Sequence, residues 1–152
     1  MKKIAFLFTL IILIQSCGFA PVYTSKDNIN FNIENITFKG DQKLNNLINI
    51  KLKRYISKNT GNKNYKISAT SNYSKQVQSR NAKGNIQSFR LKSSVVFIVS
   101  EDNQTYNFVY SEQSDLNNSD DTFELKTYEN SIKENFASSI VEKLVLDLSS
   151  NK

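Results

Sequence analysis

The sequence predicts an α+β domain: a two-layer sandwich with two helices packed on one face of a four-stranded, mostly antiparallel sheet. Three observations carry this reading. Apolar and polar residues alternate in four separate stretches, two other stretches switch to three-and-four spacing, and together they run in the order β-α-β-β-β-α.

The first strand begins where Ile29, Phe31 and Ile33 alternate with asparagines. Ile36 and Phe38 resume the alternation one residue out of step, which predicts a bulge at Glu34-Asn35. Gly40 ends the strand, and Asp41 is placed to cap a helix. Leu44, Leu47, Ile48, Leu52, Tyr55 and Ile56 then fall on one face of that helix. Lys51, Lys53, Arg54 and Lys58 crowd its C-terminal half, where cations suit the helix dipole, and Asn59-Thr60-Gly61-Asn62 stops it.

Tyr65, Ile67, Ala69, Tyr73 and Val77 form a second strand, and Arg80 to Asn85, with its Gly84-Asn85, reads as a hairpin tip. Phe89, Leu91, Ser93, Val95, Phe97 and Val99 point one way along a third strand. Val96 and Ile98 thicken its end, which predicts cover on both faces there. After a turn at Glu101 to Gln104, Tyr106, Phe108 and Tyr110 make a fourth strand, and polar Ser111 to Asp120 reads as a loop. Asp121-Thr122-Phe123-Glu124 has the spacing of a capping box. Behind it, Leu125, Tyr128, Ile132, Phe136, Ile140, Leu144 and Leu148 make the stripe of a long helix, flanked by Ala137, Val141 and Val145.

Ahead of this domain, Lys2 and Lys3 precede an apolar run from Ile4 to Ile14 and then Cys17, the only cysteine. The run is too short to span a bilayer, which needs ~20 apolar residues, and matches the core of an export signal. Leu13-Ile14-Gln15-Ser16-Cys17-Gly18 resembles a lipobox, so Cys17 is expected to be acylated and to become the first mature residue. An ordinary secretory leader, or a buried N-terminal helix with an incidental cysteine, is the alternative. Gly18 stands where an aspartate commonly marks inner-membrane retention, and by that resemblance the destination is the outer membrane, on its periplasmic side. The expected organisation is a signal peptide over 1–16, an anchor and linker over 17–28, and one domain over 29–152.

The chain carries 20 lysine and arginine residues against 14 acids, and the excess is compatible with an anionic partner. Catalysis has few tools here. There is no histidine, the one thiol is expected to carry an acyl chain, and four scattered glycines build no phosphate loop. The acidic pairs Glu101-Asp102 and Asp120-Asp121 sit where turns and helix caps want carboxylates. We therefore expect a non-enzyme without metal or cofactor. A nucleic-acid role is disfavoured by export, and by alternation that turns Phe89 and Leu91 away from Arg90 and Lys92.

The segment Cys17-Gly18-Phe19-Ala20-Pro21-Val22-Tyr23 resembles the start of mature LptE, the lipopolysaccharide-assembly lipoprotein of alphaproteobacterial type. Gly84 through Val99, and Tyr106-Asn107-Phe108-Val109 ahead of the final helix, are similar more loosely. The resemblance implies a two-layer sandwich in a heteromeric complex, plugging the LptD outer-membrane barrel, assisting its assembly and helping insert lipopolysaccharide in the outer leaflet. Arg80, Lys83, Arg90 and Lys92, chosen by position and charge, are the candidate contacts to lipid A phosphates. The alternative role is a free lipoprotein that carries or chaperones a lipid or another lipoprotein, and it would need an apolar cavity.

Overall fold

A computed structural model describes residues 31–56 and 63–150. The leader, Cys17, the linker to Asn28, Ile29, Lys58 and the helix stop at 59–62 lie outside the described residues.

The elements are β1 (Phe31–Gly40), α1 (Gln42–Leu52) with a 3-10 turn (Lys53–Tyr55), β2 (Lys63–Arg80), β3 (Ile86–Glu101), β4 (Gln104–Asn117) and α2 (Thr122–Ser150). The sheet order is β1-β2-β3-β4, with β1 parallel to β2 and the other two pairs antiparallel. The order β-α-β-β-β-α and the α+β class are thus as the sequence predicts. The single parallel pair follows from α1, which carries the chain back to the start of the sheet before β2 begins.

Local chemistry sets the element ends. The β1 register shifts between Ile33 and Asn35, the expected bulge, so that Ile33 and Ile36 both face inward. Gly40 sits at φ 95 against β2, where a Cβ would lie 1.8 Å from the Ser71 carbonyl oxygen, so no side chain fits. Asp41 caps α1 by accepting from the Leu44 amide at 2.7 Å. At α2 the Asp121 carboxylate accepts from Phe123 and Glu124. The capping box closes through a third residue: Ser119 Oγ donates to Glu124 and accepts from the Asp121 amide.

The helices cover one sheet face. Ile33, Tyr65, Ala69, Val95, Phe97 and Val99 meet Leu44, Ile48, Leu52, Ile140 and Leu144 in one cluster, all fully buried. A second cluster of Leu91, Leu116 and Phe136 lies toward the hairpin end. Between them a polar rung crosses the buried face, since Tyr73 pairs with Ser93 and Ser93 with Glu112. Helix α2 answers it with polar groups. Glu129 accepts from Tyr73 Oη and Lys75 Nζ, each at 2.9 Å. Lys133 stands 3.7 Å over the Tyr73 ring, and Glu112 accepts from Ser139 at 2.7 Å and from Lys143 at 2.6 Å.

Several expectations change. Tyr55 and Ile56, expected on the first helix's face, lie past its end at Leu52, where Ile56 turns extended and bridges to Ile33. Val77, expected in the inward row of β2, is 43% exposed, next to a register shift. The polar stretch from Ser111 to Asn117 is strand, paired with β3 as far as Ser88↔Asn117. It hides from hydropathy because its inward residues include Glu112, which meets α2 through Ser139 and Lys143, and the small polar Ser114, which lies across from Leu91. Val96 and Ile98 are not covered on both faces: they are 36% and 44% exposed on the face opposite the helices. Their branched side chains suit the pleat, and Val96 pairs across to Val109. Tyr128, expected in the α2 stripe, is 54% exposed. Residues four apart overshoot a helical turn by about 40°, so a long four-spaced row winds around the helix. Lys133, Ala137 and Val141 share the buried face instead.

Candidate functional site

The face that the helices leave bare is the broadest feature of the molecule. Alternation sends Thr37, Ser68, Thr70, Asn72, Ser74, Ser94, Asn107, Ser111 and Gln113 outward, across all four strands. Short hydroxyl and amide side chains leave this surface flat and rich in donors and acceptors. The valines and isoleucine described above form its small apolar centre. Near the middle a shallow depression of about 390 Å³ is lined by Asn72, Ser74, Lys92, Ser94, Ser111 and Gln113, among others.

The four candidate cations divide into two pairs. Arg90 and Lys92 lie on this open face, two residues apart on β3, opposite Gln76 and Ser74 of β2. Arg80 and Lys83 lie at the β2–β3 hairpin, beyond the depression. Arg80 Nη1 donates to the Gly84 carbonyl at 2.8 Å and so fastens the turn. Arg90 makes a two-pronged pair with Asp115, Nε to Oδ1 at 2.9 Å and Nη2 to Oδ2 at 3.2 Å. Those hydrogen bonds hold the Asp115 carboxyl below its ordinary range and the guanidinium above its own. The arginine forks are thus engaged within the protein, while Lys83 and Lys92 extend as exposed ammonium groups. Cys17 lies outside the described residues.

Sequence reasoning did not foresee the depression itself. Its signal was present in the polar partners of the alternation, Asn72, Ser74, Ser94, Ser111 and Gln113, which apolar periodicity ignores. Among the described residues, no group of three or more acidic, histidine or cysteine side chains is placed to hold a metal. No helix among them is long and apolar enough to cross a membrane.

No protein-family model and no curated protein matches this sequence. Solved structures do. Rare lipoprotein B from Shewanella oneidensis aligns with TM-score 0.55 at 14% identity, covering 75% of this chain and 96% of that one. A chain from Caulobacter crescentus described as a lipoprotein aligns at 0.51 and 16% identity, over 78% of this chain and 88% of its own. Lipoprotein B from Nitrosomonas europaea gives 0.56 at 11% identity, over 82% and 88%. This chain shares their fold.

Proposed function

We propose that this chain is a lipid-anchored outer-membrane subunit of the lipopolysaccharide translocon, a non-catalytic plug and assembly partner of an LptD-type barrel that assists lipopolysaccharide insertion. The observation that carries the reading is the bare, hydroxyl- and amide-rich sheet face. The lumen of a large outer-membrane barrel is polar and wet, and a wide polar surface on a firm two-layer body suits lodging there. A carrier of acyl chains would instead use enclosed apolar volume, and here the space between sheet and helices is filled by side chains of both layers. The lipobox-like run ending at Cys17, and the likeness to folds of lipoproteins so named, support attachment on the periplasmic side.

The test is affinity purification of the full-length protein from membranes in mild detergent. Recovery of a large barrel protein in equal amount is expected. Recovery of the protein alone, with bound lipid, would replace this reading with the carrier. In parallel, a fatty-acid analogue is expected to label the wild type and not Cys17→Ser.

A further inference from the structure

The two edges of the sheet differ in how they are protected. Strand β1 is bulged where it pairs with β2, and its outer side is met by Ile56, which bridges to Ile33. The outer side of β4 has neither device. Its pairing to β3 runs from Glu101↔Gln104 to Ser88↔Asn117 without a register shift, and no described strand lies beyond it. Its fourteen residues contain no proline, lysine or arginine, and its two charges are already taken up within the protein: inward-facing Glu112 by Ser139 and Lys143 of α2, and Asp115 by Arg90. Such an edge is a template for strand addition, in which backbone groups supply affinity and side chains supply choice.

Side chains on and around β4 specify what would fit. Tyr106, Phe108 and Tyr110 are only half-buried along the inner side of the edge, and Val109 is 64% exposed on the outer side. An incoming strand with apolar residues at its centre would complete their cover. Charge is distributed differently. Residues 101–125 hold seven of the fourteen acids and no lysine or arginine. Arg90, Lys143 and Lys63 answer Asp115, Glu112 and Glu101, but Asp102 at one end and Asp120 at the other have no ion pair among the described residues. Negative charge thus flanks an apolar middle.

We propose that β4 is a strand-addition site for an extended segment of another protein, apolar at its centre and basic at its ends. This goes beyond the translocon role and does not rest on it. A second copy of this chain would fit poorly, because β4 against β4 sets acid against acid and the β1 edge is already obstructed.

The experiment uses the full-length protein in detergent and two fourteen-residue peptides of alternating valine and threonine. One ends in lysines and the other in glutamates. The lysine peptide is expected to slow amide hydrogen exchange across 104–117 and leave 31–40 unchanged, binding roughly tenfold more tightly than its twin and losing that margin in high salt. Val109→Lys, and independently Gln113→Lys, should weaken it about tenfold with the circular-dichroism melt unaltered. Equal binding of the two peptides, protection on β1, or no protection anywhere overturns the proposal. So does a dimer of the peptide-free protein that Val109→Lys dissociates, since the occupant would then be a second copy.

Discussion

At the residue scale, two glycines with similar backbones play unlike parts. Gly40 and Gly84 both have positive φ, but only Gly40 is pressed against a neighbouring strand. Gly84→Ala meets open space and is expected to cost about 1–2 kcal/mol, from the left-handed backbone alone. Gly40→Ala must also displace the Ser71 carbonyl, and should cost ~3 kcal/mol or more. Urea unfolding of both variants checks the ranking. Among the candidate cations, Lys92→Glu is expected to weaken lipopolysaccharide binding roughly tenfold, the worth of one charge-assisted hydrogen bond of about 1.5 kcal/mol. Arg90→Gln should leave it nearly unchanged, because Asp115 already occupies that guanidinium. Titration with purified lipopolysaccharide separates the two; a larger loss for Arg90→Gln would reverse the assignment. This difference was not legible from sequence, since the Arg90–Asp115 partnership depends on a register that carries β4 through a stretch read as loop.

At the element scale, legibility followed the hydropathy pattern. Both helix caps, the β1 bulge, the inward row of β3 and that of β2 as far as Tyr73 could be read from residue order, because burial there is mostly apolar and local geometry has distinct residue signals. The second half of β4 could not be read, because two of its three inward residues, Glu112 and Ser114, are polar and leave Leu116 alone to mark the row. That polar rung should make stability depend on acidity. Burial alone would raise the Glu129 carboxyl, but hydrogen bonds from Lys75 and Tyr73, with the charges of Lys75 and Lys133, outweigh it and hold the group below its ordinary range. Glu112 is lowered likewise, its burial outweighed by Lys143 and Ser139. A folded value below the unfolded one stabilises the protein above the unfolded pKa, ~4.3 for glutamate, and the benefit fades as pH falls through the folded value. Glu129→Gln is expected to cost about 1–3 kcal/mol at pH 7, and the gap to wild type should close below ~pH 4. Denaturation midpoints across that range provide the check, and a gap independent of pH would exclude the ionic origin.

At the scale of the whole molecule, charge is segregated along the chain. Residues 1–100 carry sixteen basic and three acidic residues, and 101–152 carry four basic and eleven acidic. On the sheet the contrast lies between β2, with four basic residues and no acid, and the β4 edge, with two acids and no basic residue. The overall excess of lysine hides it, which is why composition pointed only to an anionic partner while the β4 side suits a cationic one. The sheet's connectivity also sets an order of assembly. The strands β2, β3 and β4 are joined by short turns and close few residues of loop, whereas β1 reaches β2 only across α1, pairing Phe31 with Lys63. The three-stranded meander should therefore form in the folding transition state and β1 should dock after it. Ile33→Val, costing about 1 kcal/mol, is expected to speed unfolding roughly fivefold and leave refolding unchanged, while Phe97→Leu slows refolding. The strand that closes the fold is also the one nearest Cys17 in the chain, so the domain would be completed at the end where the proposed anchor lies, with β4 already in place to meet a partner while β1 is still arriving.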